Sequence, residues 1–279
     1  MNKQTDTIDL NRRDFLRGSA LSSLAVALGA TALQGQDKPA EATAPTAYKT
    51  AANPVNVAVL GLGQRGRDVL KTLSLLVNAN VVAICDHYEP MVRRSKDLAP
   101  KAVAYSDYKE LLADKNVKAI VLCTPTHQHK DLAIEIMKAG KHIYCEAPLA
   151  STVEDSKAIA AAAKDYQKVH FSSGLQLRSD PQRYFLLSFI RSGAMGKNVK
   201  AHAQWHKKQS WRQSSPNPDR EREMNWKLDS KVSTGLAGEI AVHQIDTGRW
   251  FIEGAPLSIT AFGSLINWND GRKVQDRSC

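Results

Sequence analysis

Two groups of residues in this sequence have types and spacings that could do chemistry. The first is Val57-Ala-Val-Leu-Gly61-Leu-Gly63-Gln64-Arg65-Gly66, an apolar run that breaks into three glycines ahead of a polar, helix-like segment. A strand, tight turn and helix in that order can cradle a pyrophosphate. Gly61 permits the turn, Gly63 lets the backbone approach the phosphates, and Gly66 lets helix pack on strand, while the helix start offers free N–H groups and a positive dipole end. The next apolar run, Val81-Val-Ala-Ile-Cys85, ends at Asp86, about where a carboxylate would bond the adenosine ribose hydroxyls. Glycines also mark ordinary turns, and it is the acid at this distance that turns the pattern into a dinucleotide reading. A carboxylate there repels a 2′-phosphate, so NAD is favoured over NADP.

The second group lies in Gly235-Leu-Ala-Gly238-Glu239-Ile-Ala-Val-His243-Gln-Ile-Asp246. Glu239, His243 and Asp246 follow helical spacing and are expected on one face. Oxidising a secondary alcohol needs a base for the hydroxyl proton while hydride leaves, and a histidine oriented by a carboxylate suits that task near neutral pH. The same spacing also fits a core histidine satisfied by its neighbour. His127 and His129 stand two apart, with no third ligand suitably spaced nearby, so no metal is expected.

These groups need elements to position them. The 279 residues, 43% of them hydrophobic, can bury a sizeable core in one large domain or two modest ones. From Asn56 onward, predicted strands at 56–60, 80–85, 102–105, 118–123, 141–146 and 169–174 alternate with helices near 65–77, 88–98, 107–113, 127–139 and 153–167. That alternation predicts βαβ units and a parallel sheet. Thr152 or Ser151 is the N-cap candidate of the helix at 153–167, ahead of Glu154 and Asp155. After about residue 175 the pattern predicts a helix from Pro181 to Ser192 and an antiparallel strand from Val199 to His206. A long polar loop to Lys231, a helix near 235–252 and a strand near 257–266 follow. The fold class is therefore α/β, a Rossmann-type parallel sheet followed by an incomplete α+β domain with a mainly antiparallel sheet. Two or three strands bury little sheet face, so a partner is expected to cover that sheet, or the sequence is a truncated version of something longer.

The first 36 residues read as an export signal. Asn11-Arg12-Arg13-Asp14-Phe15-Leu16-Arg17 is similar to a twin-arginine motif, and the apolar stretch from Gly18 to Leu33 is too short and too rich in Gly, Ala and Ser for a stable membrane span. The expected domains are thus a signal peptide at 1–36, a linker at 37–54, a dinucleotide-binding Rossmann domain at 55–174 and a partial C-terminal substrate and oligomerisation domain at 175–279. The expected location is the periplasm, or otherwise outside the cytoplasm.

The net charge of +10 would suit a nucleic acid or an anionic surface, but Lys and Arg are spread along the chain, so no nucleic-acid partner is expected. Trp205, Trp211 and Arg212 flank His206-Lys207-Lys208 in a mixture of aromatic and basic residues that could line a sugar site, form an interface or merely pack. Four cysteines, at 85, 123, 145 and 279, have the spacing of neither a zinc knuckle nor a disulfide framework.

Cys123-Thr124-Pro125-Thr126-His127-Gln128-His129 follows the fourth predicted strand, and Tyr144-Cys145-Glu146-Ala147-Pro148-Leu149 ends the fifth. Together with the glycine turn they resemble the Gfo/Idh/MocA oxidoreductases, which carry TPxxxH and EKP at these places. The resemblance covers residue 54 to about 270. It implies NAD as cofactor, held by Gly61, Gly63, Gln64, Arg65, Gly66, Asp86, Thr124, Pro125, His129 and Glu146. It sets Glu239 and His243 on a second-domain helix facing the nicotinamide, with His243 as base and Glu239 where Asp is more usual. Arg178 and Pro181 resemble the family's RxxP, and Arg178, Trp205, Trp211 and Asp246 are the substrate candidates.

The family's middle EKP residue is a lysine that contacts the nicotinamide and the reacting hydroxyl. Here it is Ala147, which can neither donate a hydrogen bond nor stabilise an alkoxide. The implied function is an NAD-dependent oxidoreductase acting on a sugar or cyclic polyol. The alternatives are a redox glycosidase with an internally recycled cofactor and a non-catalytic nucleotide-binding sensor. Homo-oligomerisation through the second-domain sheet is the implied assembly.

Overall fold

A computed structural model describes residues 53–278 of the chain. The expected signal peptide and nearly all of the expected linker lie outside the described residues.

Six short apolar runs form one sheet: β1 (Val55–Leu60), β2 (Ala79–Cys85), β3 (Val103–Tyr105), β4 (Ala119–Leu122), β5 (His142–Cys145) and β6 (Phe171–Ser173). Their order is β3-β2-β1-β4-β5-β6 and every neighbouring pair is parallel. Parallel neighbours need crossovers, supplied here by α1 (Gln64–Leu73), α2 (Glu89–Lys96), α3 (Tyr108–Ala113), α4 (His129–Lys138) and α5 (Val153–Asp165).

The period of two along the strands sorts the core into two layers. Ala58, Leu60, Ala83, Cys85, Ile120 and Leu122 face α4 and α5, meeting Ile136, Met137 and Ile159. The intervening Val57, Val59, Ile84 and Val121 face the other way, onto Leu62 and Leu70. Burial on both faces explains why these strands read as continuous apolar runs. Each fully buried leucine or isoleucine contributes about 1.5–3 kcal/mol. Thr152 is the cap that starts α5, its hydroxyl accepting from Asp155 N at 3.0 Å, with Glu154 and Asp155 in the first turn, where the helix dipole favours negative charge.

Beyond β6 come α6 (Pro181–Arg191), α7 (Pro218–Met224), α8 (Gly235–Glu239), α9 (Val242–Ile252) and a two-residue antiparallel pair, β7 (Gly263–Ser264) with β8 (Arg277–Ser278). Four expectations need correction here. Val199–His206 is exposed and forms no strand, because alternation makes a strand only where a sheet edge and an apolar layer receive it. The polar loop to Lys231 holds α7, started by Asn217, whose side chain accepts from Asp219 N and Arg220 N, and by Pro218 in the first turn. The strand near 257–266 contracts to Gly263–Ser264, and the helix near 235–252 is two helices.

Replacing Thr152 with Ala should lower the unfolding free energy by about 1 kcal/mol, read from urea denaturation, by leaving the first-turn N–H groups of α5 uncapped. An unchanged midpoint would show that α5 is held by packing alone.

Candidate active site

The strand order reverses between β1 and β4, and in open parallel sheets a ligand crevice forms at that point, beyond the strands' carboxyl ends. The glycine turn sits in it. Gly61 has φ +92°, and a Cβ there would lie 2.8 Å from the backbone of Cys123 and Thr124. A Cβ on Gly66 would come within 1.9 Å of the Gly61 carbonyl oxygen. Only glycine allows the turn to close against β4 and α1 to start this near it.

Gly63 is different, since a Cβ there would meet nothing within 4 Å, so its backbone borders open cleft. It is also the N-cap of α1 and has no side chain with which to satisfy the first-turn N–H groups. Asp86 is nearly buried. Its Oδ2 accepts from Leu62 N at 2.8 Å and its Oδ1 from Tyr88 N at 2.9 Å, which locks the glycine turn to the end of β2 and leaves each oxygen a second lone pair. Thr124 Oγ1, across the crevice, is buried without a hydrogen-bond partner. Free N–H groups at a helix start, open space above Gly63, an acid at the end of β2 and an unmatched hydroxyl fit a dinucleotide. The cleft measures about 1790 Å³, more than the roughly 300–1,000 Å³ typical of a small-ligand pocket.

His129 borders the cleft. Its ring is fully buried, with Nδ1 3.1 Å from the Pro148 carbonyl oxygen and Nε2 2.9 Å from that of Thr124. It ties the turn after β4 to the turn after β5, and so positions the residues bordering the cleft. Burial pushes its pKa down, against the two carbonyls, which favour the charged ring. Glu146, beside it on the second turn, pairs with Arg65 Nη2 at 2.9 Å. Burial works against the Arg65 charge, but the ion pair with Glu146 outweighs it and raises the Arg65 pKa.

His243 reaches the same cleft from α9, but Glu239 does not orient it. The Leu236 carbonyl accepts from Ile240 N at 3.1 Å and also from Ala241 N at 3.0 Å, so a residue is inserted and the helix breaks between α8 and α9. Four-residue spacing no longer means a shared face. Glu239 is instead buried against Thr126 Oγ1 at 3.3 Å and Thr234 Oγ1 at 2.7 Å, fastening the second region to the turn after β4. The charges that act on His243 are Glu146, Arg65 and Asp246, and burial, the largest effect, lowers its pKa. Its Nδ1 is buried and unpartnered.

Three of the substrate candidates are taken up elsewhere. Arg178 holds Asp246 through Nε and Nη2, each at 2.8 Å, and its guanidinium stacks 5.5 Å above Trp250. Those residues join the turn Gln176–Ser179 to α9 and do not line the cleft. Trp211 lies 5.5 Å from the Lys227 ammonium, and the exposed Trp205 also stands off the cleft wall. Sequence reasoning missed Gln176, whose Oε1 accepts from Arg65 at 3.3 Å, and the contribution of α7, where Glu223 lies 3.2 Å from His87 and Arg220 stacks 4.1 Å over Tyr88. The Asn217-Pro218 cap was the available signal for α7. Cys85 and Cys145 are buried free thiols whose pKa burial raises to about 12, and burial raises Cys123 as well.

A parallel sheet in this order, with a glycine turn at its switch point and an acid after the second strand, defines a Rossmann-type dinucleotide-binding domain. The match to known families is more particular. The model of the NAD-binding Rossmann fold of the Gfo/Idh/MocA oxidoreductases matches residues 55–174, and that of the Gfo/Idh/MocA C-terminal domain matches residues 186–278. The chain belongs to the Gfo/Idh/MocA family.

Among its relatives, levoglucosan dehydrogenase of Pseudarthrobacter phenanthrenivorans is 32% identical over 61% of this chain and 41% of its own length. Myo-inositol 2-dehydrogenase of Thermotoga maritima is 28% identical over 76% of this chain and 59% of its own. The crystal structure of myo-inositol 2-dehydrogenase from Lactobacillus plantarum shares the fold, with a TM-score of 0.62 and 23% identity over 76% of this chain and 60% of that one. The chain spans about half the length of the curated relatives it matches.

His127, His129 and His243 all have pKa values lowered chiefly by burial from the usual 6.5. Below pH 6.5 the unfolded chain binds protons that the folded one resists, so the stability these rings support is full above that pH and is lost as the pH falls through it. The urea midpoint should therefore drop between pH 7.5 and 5.5. Replacing His129 with Ala should flatten that slope and cost on the order of 1–3 kcal/mol at pH 7.5. A pH-independent midpoint in this window would contradict the lowered pKa values of these rings.

Proposed function

We propose that this chain belongs to an NAD-dependent oxidoreductase acting on a ring hydroxyl of a sugar or cyclic polyol. The observation that carries the reading is the meeting of His243 with the glycine turn in one cleft. The names of the levoglucosan and myo-inositol dehydrogenases support the substrate class. The first-turn N–H groups of α1 would hold the pyrophosphate, and Asp86 the adenosine ribose. Bound NAD supplies the hydride acceptor. His243 takes the hydroxyl proton, and its lowered pKa keeps the ring neutral and able to accept at pH 7. Activity should accordingly persist somewhat below pH 6.5 and fall once the pH passes the depressed value.

Ala147 supports a second reading, a redox glycosidase that returns the hydride within each turnover, because the position offers no amine. Absorbance at 340 nm separates the two when levoglucosan, myo-inositol or aryl glycosides are added to protein with NAD. Accumulating NADH marks net oxidation, whereas released aglycone without NADH marks the glycosidase. Bound NAD with neither signal would point to the sensor.

Replacing His243 with Ala should abolish substrate-dependent reduction while NAD affinity stays within about threefold. Unaltered kinetics would remove His243 from the mechanism. Replacing Asp86 with Ala should weaken NAD binding tenfold or more, by the roughly 1–3 kcal/mol of hydrogen bonds to a charged group, and equal affinity would undo its assignment. Arg12 and Arg13 support export by the twin-arginine route. Lysines at both positions should then retain the protein in the cytoplasmic fraction, and an unchanged distribution would count against that route.

A further inference from the structure

Arg65 is unusual among the cleft's charges because of where it reaches. It starts in the first turn of α1, beside the N–H groups that suit phosphate, yet its guanidinium extends to the end of β5. There Nη2 lies 2.9 Å from Glu146 Oε1 and 3.3 Å from Gln176 Oε1. The Glu146 side chain is only 12% exposed and the Arg65 side chain 51%, so a fixed acid holds a cation whose other face is open to the cleft. A guanidinium carries five N–H donors, and these contacts engage one nitrogen. The next residue on the β5 turn, Ala147, brings only a methyl group to the cleft wall.

His243 lines the same cleft from α9. The charged groups acting on it are Glu146 from the β5 turn, Arg65 from α1, and Asp246 from its own helix, the last already bound by Arg178. An oxygen between His243 and Arg65 would have a proton acceptor on one side and a permanent cation on the other. We propose that Arg65, held across the cleft by Glu146, is the group that binds the reacting hydroxyl oxygen of the substrate opposite His243. This rests on the oxidoreductase reading above. The proton leaves the hydroxyl for His243, Arg65 keeps its own protons, and the negative charge growing on the oxygen is met by guanidinium N–H groups. Such preorganised donors are worth about 10²–10³ in rate. The competing role for Arg65 is a pyrophosphate ligand, through the N–H groups that its contacts with Glu146 and Gln176 leave free.

The test uses the full chain with Arg65→Met and Arg65→Lys. NAD affinity is measured by titration, and turnover with levoglucosan and with myo-inositol as probes. The His243 ring titration is followed by proton NMR in NAD-free protein, its signal identified by loss in His243→Gln. Arg65→Met should lower kcat/KM by about 100-fold or more, leave the NAD Kd within about threefold, and raise the His243 midpoint by removing a nearby positive charge. Arg65→Lys should recover much of the rate and leave the midpoint near that of the parent. An NAD Kd that rises as much as kcat/KM falls would assign Arg65 to the phosphates and overturn the proposal, as would an unmoved His243 midpoint. If the parent chain binds NAD but oxidises neither probe, the oxidoreductase reading with these substrates fails. The NMR midpoint then still decides, a raised value in Arg65→Met supporting the placement of Arg65 and an unmoved one ending it.

Discussion

The constraint on which the rest depends is that all six strands run the same way and therefore end along one edge. Parallel pairing sends each chain segment back over a face of the sheet before the next strand begins, so every strand's carboxyl end is free to turn outward. With the order reversing between β1 and β4, the crossovers on either side diverge and leave a crevice that side chains alone do not fill. The glycine turn, Asp86, Thr124 and Glu146 are separated by as many as 85 positions in sequence, yet they lie on that edge because they follow β1, β2, β4 and β5.

Hydrogen bonds along the edge make it a rigid platform. Cys123 N bonds the Leu60 carbonyl, Glu146 N that of Leu122, and Gly61 N that of Cys85, so each turn leaves the sheet still attached to its neighbour. Asp86 then fastens the first turn, and His129 the fourth to the fifth. The nearly buried Asp86 has both its oxygens matched, the condition under which low dielectric strengthens a network. The second region is joined to the platform by directed contacts as well, Glu239 on Thr126 and Ser151 Oγ on the Val232 carbonyl at 3.1 Å.

Much of the platform was legible in the sequence, and the reasons are local. All six strands fall within two residues of their expected limits, because burial on both faces writes each strand as a bounded apolar run. A cap at Thr152 or Ser151 was readable because a hydroxyl residue ahead of two acids suits few other places, and the structure selects Thr152. What failed shares a different cause. The spacing of Glu239 and His243 presupposed an unbroken helix, and nothing local announces the residue inserted after Leu236. Val199–His206 alternates as a strand should, but alternation records only what a segment could bury, and the segment lies exposed. Arg178 and Asp246 were each singled out by type as substrate candidates, yet they bind one another. Long-range pairing between charged residues has no signature in a single sequence.

The three thiols among the described residues share one feature. Cys85, Cys123 and Cys145 lie at or just past the ends of β2, β4 and β5, the first two lining the cleft, and burial favours their protonated form at neutral pH. Thiol–disulfide exchange and peroxide attack both proceed through the thiolate. Burial thus disfavours the reactive form of the sulfur beside this site at neutral pH.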